Sequence, residues 1–399
     1  MISPNGHPQR SPYTTLAEVD LDAIAQNMRS IAQWVGEAVE VIGVVKDDAY
    51  GHGAVRVART LIANGATRLA VGRTLEGVQL RQAGIDVPIL NMCYAVPGEA
   101  ALMAEYDLTP TVTTWDGAQA LSAQAAALGR TLRVHLKVDT GMGRYGLLPD
   151  EVLPFLEQVK RLPNLDWEGV FTHFSTADEA DKRFTRQQYA TFQEVLAAIE
   201  SSGLHFRLRH AANSAATLDL PETHLDAVRP GIALYGLYPS AEVSTDIPLQ
   251  PAITLKSHIA RVRTLPAGSA IGYGRTYIAE KAVKVGLVPV GYGDGYHRLL
   301  SNRGAVLVNG QRASIIGRVC MDQLTVDLSN IDVAQDDPVV LIGEQGEAAI
   351  PAEEVAAWAE TINYEVVTGI SRRIPRVYRS SGEVVDVWQM VPDAEPESL

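Results

Sequence analysis

The chain has 399 residues, of which 46% are hydrophobic, and this length predicts two domains or one large domain with an extension. Its formal net charge of −13 argues against a nucleic acid partner, which needs basic patches on the protein, and the lack of a long apolar run argues against a membrane span. The two cysteines lie far apart in hydrophobic segments, so we expect no disulfide framework and a cytoplasmic location.

Residues 1–16 are predicted to form a flexible N-terminal tail, because they lack the apolar core of an ordinary secretory signal. Further along, the apolar run Val41–Val45 stops at Lys46 and is followed by DDAYGHG. A continuous apolar run is typical of a strand that is buried on both faces. In parallel α/β folds ligands bind at the carboxyl ends of such strands, which makes Lys46 a candidate site residue.

From residue 17 to residue 243, short apolar strands alternate with amphipathic helical segments, several of which end at a glycine. The strand ends lie near Lys46, Gly72, Asn91, Val112, Val138, His173, His210 and Arg229. These eight ends are the number that a (β/α)8 barrel needs. An open doubly wound sheet is the second possibility, but no GxGxxG follows the first strand. The sequence therefore predicts an α/β fold with an N-terminal (β/α)8 barrel over residues 17–243.

The composition changes near residue 240, where YPSAEVSTDIPLQP is rich in turn-forming residues. Beyond it the hydrophobic pattern alternates with period two, which predicts a C-terminal mostly-β domain over residues 244–389, either barrel-like or a sandwich. The predicted strands are Ile253–Thr264, Val283–Val290, Gly304–Val308, Gln323–Leu328 and Val339–Ile342. Asn309-Gly310 indicates a hairpin, Pro351–Ile362 a helix and residues 390–399 a flexible tail.

The predicted barrel brings candidate ligand-binding residues to one face. They are Lys46, Lys137, His173, Asn213, Ser214 and Arg229 through Ile232. Phosphate is often held by the loops after the last two barrel strands, and here those loops read HAANSAA and VRPGIALYG, with backbone N–H groups suited to an anion. A lysine amine beside a phosphate site suggests pyridoxal 5′-phosphate, bound to the lysine as a Schiff base.

The segment VVKDDAYGHG around Lys46 resembles, almost letter for letter, the segment that carries the cofactor lysine in alanine racemases, which are fold-type III pyridoxal enzymes. LKVDTGMGRYG, VGYGDGYHR and GRVCMDQ match later segments of that family in the same order, and the resemblance spans roughly residues 15 to 380. It implies a racemase that interconverts L- and D-alanine with pyridoxal phosphate and no metal. It also implies supply of D-alanine for cell-wall synthesis and a homodimer with shared active sites.

The resemblance implies that Lys46 forms the Schiff base with the cofactor and that further residues contact the rest of the cofactor. They are Tyr50, Ser214, Gly231 and Ile232 at the phosphate, with Asn213 beside them, and His173 over the ring. Arg229 then faces the pyridine nitrogen. Because arginine stays charged and only donates hydrogen bonds, that nitrogen would stay unprotonated and the ring would be a weak electron sink with little side reaction.

Racemisation requires proton transfer on both faces of one carbon, so a second acid/base group must stand opposite Lys46. AIGYG matches the family position of a catalytic tyrosine, which gives this role to Tyr273. Family geometry implies that this tyrosine comes from the other subunit of a head-to-tail homodimer, with Lys46 serving the D-isomer and Tyr273 the L-isomer. A free phenol has a pKa of about 10, so Tyr273 needs a hydrogen-bonded network to act as a base.

Arg144 is implied as the contact for the substrate carboxylate, since it follows a Gly-Met-Gly turn and a guanidinium can bind a carboxylate through two hydrogen bonds. Lys137 matches a position where family members can carry a lysine carbamate that orients this arginine. The backbone N–H of Met321 is implied as a second carboxylate contact. The implied entrance residues are Tyr292, Asp294, Arg298 and Arg318.

Two places depart from the family pattern. Asp47-Asp48 replaces the commoner asparagine or alanine after the lysine, which we expect to alter loop hydrogen bonds more than chemistry. Arg372 stands where well-known members have a tyrosine beside the phosphate. It is a further candidate cofactor contact, and it leaves open a broader range of small amino acids that includes serine.

Three other classes of protein share parts of this pattern. A fold-type III amino acid decarboxylase would place an acid at the pyridine nitrogen and a cysteine near the cofactor, so Arg229 and Tyr273 argue against it while Cys320 fits it. A non-catalytic pyridoxal carrier would be a barrel alone, which the long C-terminal domain argues against. A small-molecule-binding regulator would lack the visible Schiff-base absorbance that borohydride trapping on Lys46 abolishes.

Overall fold

Eight parallel strands form a closed barrel in the first part of the chain. The computed structural model describes residues 12–94 and 96–390. The barrel strands are Glu40–Val44, Arg68–Val71, Ile89–Tyr94, Thr109–Val112, Leu132–Lys137, Leu165–Phe171, Leu208–His210 and Ala227–Val228. The last strand closes the ring by pairing with the first, with Ala227 opposite Glu40. This confirms the predicted barrel.

Helices follow the barrel strands and cover them with their apolar faces. They are Ala54–Ala63, Thr74–Gln82, Ala100–Glu105, Trp115–Ala127, Val152–Val159, Arg183–Ser201 and Ser214–Asp219, and one more helix, Leu21–Val35, precedes the first barrel strand. In Ala54–Ala63 the buried residues recur every three or four positions, as expected for a helix with one apolar stripe. Leu61 from this stripe lies against Gly43 of the first strand, where an added methyl group would come within 3.1 Å of it.

The chain divides into two compact units, and among the described residues the second unit comprises 12–22 and 252–390. Its largest sheet contains, in order, Gln311–Ser314, Ala305–Val308, Pro338–Gln345, Ile253–His258, Leu16–Asp20, Arg376–Ser380 and Glu383–Trp388, with Ala348–Ile350 pairing onto Pro338–Gln345. The smaller sheets contain Arg261–Leu265, Val283–Val288 and Leu324–Asp327, and Ala270–Ile271 with Tyr277–Ile278. The helices are Ala352–Trp358 and Asn363–Thr368. The predicted mostly-β second domain is confirmed.

The start of the chain differs from the prediction. Strand Leu16–Asp20 lies in the sheet of the second unit, antiparallel to Ile253–His258 and parallel to Arg376–Ser380, although residues from 17 onward were predicted to belong to the barrel. Thr15, predicted to lie in the flexible tail, is buried, and its hydroxyl donates to the Pro289 carbonyl at 2.8 Å. Pairing with a strand more than 200 residues away leaves no local trace in the sequence. The rest of the two predicted tails, residues 1–11 and 391–399, lies outside the described residues.

The second unit contains two further differences and one confirmed turn. The run predicted as Ile253–Thr264 is two strands in separate sheets, because the backbone changes partner at Ile259, whose N–H donates to Asp337 O, and at Ala260, whose N–H donates to Leu287 O. The segment predicted as helix Pro351–Ile362 forms Ala352–Trp358, and a second helix begins at Asn363. Asn309 and Gly310 both have positive φ, 49° and 74°, and join Ala305–Val308 to Gln311–Ser314, which confirms the predicted hairpin.

In the described part of the chain, no helix has both the length and the apolar character that crossing a membrane requires.

Candidate active site

Lys46 is followed by a left-handed turn. Asp47 to Tyr50 have φ values of 52°, 54°, 53° and 53°, a conformation that costs an L-residue about 1–2 kcal/mol. Aspartate tolerates it better than most residues, which explains Asp47-Asp48. Asp48 also accepts a hydrogen bond from the Ala54 N–H at 2.9 Å, at the start of the next helix. The turn brings the Tyr50 ring to 5.9 Å from the Lys46 Nζ.

The turn is held by Glu76, a residue that the sequence reasoning missed. Its carboxylate accepts hydrogen bonds from the backbone N–H of Asp47 at 2.6 Å, Gly72 at 2.8 Å and Arg73 at 2.9 Å. Glu76 thereby joins the loops after the first and second barrel strands. Its position in the first turn of helix Thr74–Gln82, where a glutamate commonly reaches back to backbone N–H groups, was the available signal.

Hydroxyl and N–H groups converge at the predicted phosphate site. The Ser214 Oγ accepts hydrogen bonds from the Gly231 N–H at 2.8 Å and the Ala233 N–H at 3.4 Å. A methyl group on Gly231 would lie 2.4 Å from the Tyr50 Oη, so only glycine allows this approach. Burial raises the pKa of Tyr50, which therefore remains a neutral hydroxyl. The Ser214 hydroxyl, which accepts these two bonds, can still donate its own hydrogen, and together with the Tyr50 hydroxyl it forms a cradle that fits a phosphate.

Neighbouring residues complete this part of the rim. Asn213 caps helix Ser214–Asp219 by accepting a hydrogen bond from the Ala216 N–H at 3.1 Å, and Ile232 is buried. Both stay predicted cofactor contacts.

Arg229 is buried, and three of its five N–H groups are bonded within the described structure. Nη1 donates to His210 Nδ1 at 2.8 Å, and Nη2 donates to the carbonyls of Thr172 at 2.8 Å and Ala211 at 2.9 Å. Burial lowers the pKa of Arg229 to about 9, so the guanidinium is charged at neutral pH. The Nε–H and the second Nη1–H remain for a ligand.

His173 lies beside Arg229, with its Nδ1 3.4 Å from Nη2. Burial lowers the pKa of His173 well below its ordinary value, and the charges of Arg229, Arg144, Lys137 and Lys46 lower it further. His173 is therefore neutral, and the four cations that act on it lie around it at the same end of the barrel.

Asp139 shapes the loop that carries Arg144, and the sequence reasoning missed it. Its carboxylate accepts hydrogen bonds from four consecutive backbone N–H groups, of Gly141 at 2.9 Å, Met142 at 2.8 Å, Gly143 at 3.1 Å and Arg144 at 3.1 Å. Although burial opposes ionisation, these donors lower the pKa of the Asp139 carboxyl. An aspartate just before a Gly-x-Gly segment was the available signal, since such side chains often bond the backbone of the following turn.

Lys137 is buried beside this loop. Its Nζ lies 3.6 Å from the centre of the Tyr145 ring and 5.6 Å from that of Phe171. Burial, together with the charges of Arg144 and Arg229, lowers the pKa of Lys137 to about 7. At neutral pH a large share of this side chain is therefore the neutral, nucleophilic amine.

In the second unit, Tyr273 stands on a turn between strands Ala270–Ile271 and Tyr277–Ile278 and is 71% exposed. Methyl groups on the flanking Gly272 and Gly274 would each lie 2.9 Å from atoms of Arg318. The turn therefore packs closely against the segment that contains Arg318.

The same surface of the second unit continues to Tyr292 and Met321. The Tyr292 N–H donates to the Cys320 carbonyl at 3.0 Å, and the Gly293 N–H donates to the Met321 carbonyl at 2.8 Å. Tyr292 is 42% exposed and Met321 54%. The predicted residues Tyr273, Arg318, Met321 and Tyr292 thus lie along one series of backbone contacts.

The remaining predicted residues of this unit differ in exposure. Asp294, predicted at the entrance, is buried, and its carboxylate accepts hydrogen bonds from the Gly291 N–H at 2.9 Å and from Arg373 Nε at 2.7 Å. It holds the turn that presents Tyr292. Arg298 and Arg372 are exposed.

An amine on a strand end beside a phosphate-type cradle, inside a closed parallel barrel, defines the class of α/β-barrel enzymes that bind phosphorylated ligands. Family models for the N-terminal domain of alanine racemase match residues 19–239, and those for the C-terminal domain match residues 252–378. The chain belongs to the alanine racemase family, as its sequence motifs predicted.

Individual relatives support the same family assignment. The chain is 50% identical over 365 residues to the alanine racemase of Desulforamulus reducens, covering 91% of this chain and 98% of the relative. It is similar to the crystal structure of alanine racemase from Bacillus anthracis with bound L-Ala-P, with a TM-score of 0.91, 40% identity and coverage of 96% and 99%. The alanine racemase of Bartonella henselae with covalently bound pyridoxal phosphate has a TM-score of 0.82 at 28% identity, with coverage of 92% and 100%.

We expect Asp139→Asn to lower the free energy of unfolding at pH 7 by about 1–3 kcal/mol, because one of the carboxylate oxygens that accept backbone N–H groups is replaced by a donor. Since the folded-state pKa of Asp139 is lowered, its contribution is present above the ordinary carboxyl pKa and lost as the pH falls through the folded value. Denaturant unfolding at several pH values measures this. The control is Asp150→Asn, a change to an exposed carboxylate. Equal effects of both changes at pH 7 would contradict the role of Asp139.

Proposed function

We propose that this chain is a pyridoxal-phosphate-dependent alanine racemase that interconverts L- and D-alanine by proton transfer on both faces of the α-carbon. The observation that carries the proposal is Lys46 on its left-handed turn beside the cradle of Tyr50, Ser214 and Gly231, within a chain of the alanine racemase family. Pyridoxal phosphate, when bound, draws electrons from the α-carbon and so makes its proton removable. The product D-alanine would serve cell-wall synthesis.

The barrel residues fit this cofactor. Lys46 would attach its aldehyde carbon, and the Tyr50 hydroxyl, the Ser214 hydroxyl and the backbone of Gly231 and Ile232 would hold its phosphate. Asn213 orients Ser214 through its helix cap, and Arg372 is a further candidate at the phosphate.

Arg229 would donate one of its two remaining N–H groups to the pyridine nitrogen, with neutral His173 over the ring. Because the guanidinium keeps its protons at neutral pH, it would donate a hydrogen bond to the pyridine nitrogen without protonating it. The ring would therefore be a weak electron sink. Removal of the α-proton would therefore depend more on Lys46 and the second base than on stabilisation of the carbanion by the ring.

The second base would be Tyr273, supplied across a homodimer. Its 71% exposed ring, on a turn fixed by two glycines and Arg318, is suited to enter the site of another subunit. Lys46 would take the α-proton of D-alanine and Tyr273 that of L-alanine. Neutral His173 and the Arg229 guanidinium offer the hydrogen-bonded network that a phenol needs to act as a base.

The substrate carboxylate would bind Arg144 of one subunit and the backbone N–H of the partner's Met321. A carbamate on Lys137 would place beside Arg144 an anion that orients the guanidinium. The Lys137 pKa of about 7 leaves much of the amine neutral and free to react with carbon dioxide. The buried Tyr145 hydroxyl has no hydrogen-bond partner among the described residues, and its ring lies against the same amine. It fits as a donor to such a carbamate.

The entrance would be lined by Tyr292, Arg298 and Arg318, with Asp294 acting through the turn that it holds. The comparisons do not favour the alternatives, a racemase of broader range or a decarboxylase. We also propose a cytoplasmic location, which the free thiols of Cys93 and Cys320 support.

Shared sites make a prediction for mixed dimers. Heterodimers of Lys46→Ala and Tyr273→Phe chains, isolated with two affinity tags, should keep about half of the parental racemase activity, because one of two symmetric sites is intact. Each single variant should be nearly inactive, and Lys46→Ala should also lack the visible absorbance of bound cofactor. The matched control pairs a parental chain with a chain carrying both changes, and it should be inactive. Activity in that control, without activity in the first heterodimer, would show that each site lies within one subunit.

Tyr273→Phe should affect the two isomers unequally. In deuterium oxide, α-proton exchange of L-alanine should fall by about 100-fold or more, the range expected for a general base, while exchange of D-alanine through Lys46 falls less. Nuclear magnetic resonance of single enantiomers measures both rates. Tyr277→Phe, a change at a half-buried tyrosine nearby in sequence, is the control. Parental exchange of both isomers would reject the role of Tyr273.

Lys137 predicts a pH dependence. In carbon-dioxide-free buffer the folded chain binds fewer protons at Lys137 than the unfolded chain between pH 7 and 10.5, so the stability of the parent should rise with pH relative to Lys137→Met. Bicarbonate at pH 8 should raise the melting temperature of the parent but not of Lys137→Met, because the carbamate forms in the folded state. Parallel pH profiles, with no bicarbonate effect, would contradict a neutral Lys137.

A further inference from the structure

A line of polar side chains runs from Arg229 into the interior of the barrel. Arg229 Nη1 lies 2.8 Å from His210 Nδ1, His210 Nε2 lies 3.0 Å from His135 Nδ1, and His135 Nε2 lies 3.2 Å from Glu168 Oε2. All four residues are at least nine-tenths buried. The line therefore links the residue proposed to face the cofactor with a carboxylate well inside the protein.

The chemistry of the two ends fixes the direction of every bond. A guanidinium only donates, so His210 Nδ1 must accept and His210 must carry its proton on Nε2. That proton is donated to His135 Nδ1, so His135 also carries its proton on Nε2 and donates it to the Glu168 carboxylate. Burial and the charge of Arg229 lower the pKa values of both imidazoles, which agrees with two neutral rings in a single tautomer.

Glu168 is a fixed acceptor at the inner end. It is bonded by both terminal nitrogens of Arg68, at 2.9 and 3.1 Å, and Arg68 Nε is held in turn by Glu40 at 2.8 Å. Although burial opposes it, the hydrogen bonds from His135 and Arg68 lower the pKa of Glu168 to about 2. The carboxylate is therefore ionised and cannot turn into a donor.

The residues packed around the two imidazoles fix the positions of the rings. A methyl group on Gly169 would lie 2.6 Å from the His135 ring, so the glycine makes space for that imidazole. Phe171 stacks on His210 with a centroid distance of 4.9 Å and an angle of 6° between the rings. Both rings are thus held in the planes that their hydrogen bonds require.

We propose that Glu168 is a positioning residue for Arg229, acting through the one-way hydrogen-bond chain Arg229 to His210 to His135 to Glu168. The carboxylate sets the tautomer of both histidines, so that Arg229 always meets an acceptor on its inner side. Its remaining N–H groups then keep one orientation towards the cofactor nitrogen. This inference rests on the proposed role of Arg229 but uses residues that no part of that proposal required.

The tautomers give a test that does not depend on activity. In ¹⁵N-histidine spectra of the cofactor-free and the loaded enzyme, the parent should show His135 and His210 as neutral Nε2–H tautomers at neutral pH. Glu168→Gln should add the Nδ1–H form of at least one of them. A parent spectrum with either ring doubly protonated, or protonated on Nδ1, overturns the proposal even if the variant does not fold.

Kinetics provide the second readout. Glu168→Gln should lower kcat about 10- to 100-fold in both directions, the range for residues that orient a functional group, with little change in the KM for alanine or in the visible cofactor absorbance. The matched control is Glu40→Gln, which removes the other carboxylate of Arg68 without touching a histidine and should keep the parental tautomers and kcat. An equal loss in both variants, or parental tautomers in Glu168→Gln, overturns the proposal. A parent without racemase activity would instead contradict the proposed function and leave the tautomer result standing.

Discussion

The buried charge of Arg229 is the constraint on which the barrel interior depends. Taking an ion out of water costs several kcal/mol unless hydrogen bonds replace the lost solvent. Here two carbonyl oxygens, of Thr172 and Ala211, accept from one side of the guanidinium, and His210 accepts from the other. Each of these acceptors must in turn be oriented, which is why polar side chains as deep as Glu168 replace the aliphatic layers usual in such barrels.

A second principle recurs at the turns that carry the functional side chains. In each case a carboxylate gathers backbone N–H groups: Glu76 beside Lys46, Asp139 beside Arg144 and Asp294 beside Tyr292. A carboxylate offers about four lone-pair sites and can therefore fix a turn of unusual shape that no regular ladder would hold. Such turns lose conformational freedom before a ligand arrives, so less binding free energy is spent on ordering them.

The sequence predicted well what is encoded locally. Apolar runs that stop at a polar residue predicted the eight barrel strands. It failed where the information is not local. The alternation over Ile253–Thr264 continues through a change of sheet, because period two reports which face is buried and not which strand is the partner.

The site residues also divide into those that a local motif indicates and those that depend on distant parts of the chain. Residues in distinctive motifs, such as Lys46 and Arg144, were singled out by the sequence, whereas the residues that hold their loops were missed. Glu76 and Glu168 are ordinary glutamates in sequence and acquire their roles only when strands distant along the chain meet. Asp294 is the opposite case, because it belongs to a motif that predicted it at the entrance. Its side chain is buried and holds the turn instead.

The charge at the barrel rim shows how these parts act together. The charges of Arg144 and Arg229 act on both His173 and Lys137, and that of Lys46 acts on His173, in a chain whose net charge is −13. Burial and these charges lower the pKa values of His173 and Lys137, which reduces the repulsion at a rim that is proposed to bind a phosphate and a carboxylate. Binding two anions would raise the pKa of Lys137 again and return it to a competing cation. The proposed carbamate would remove that conflict, because it would turn the same side chain into an acceptor that Arg144 can donate to while the substrate carboxylate binds the other side of Arg144.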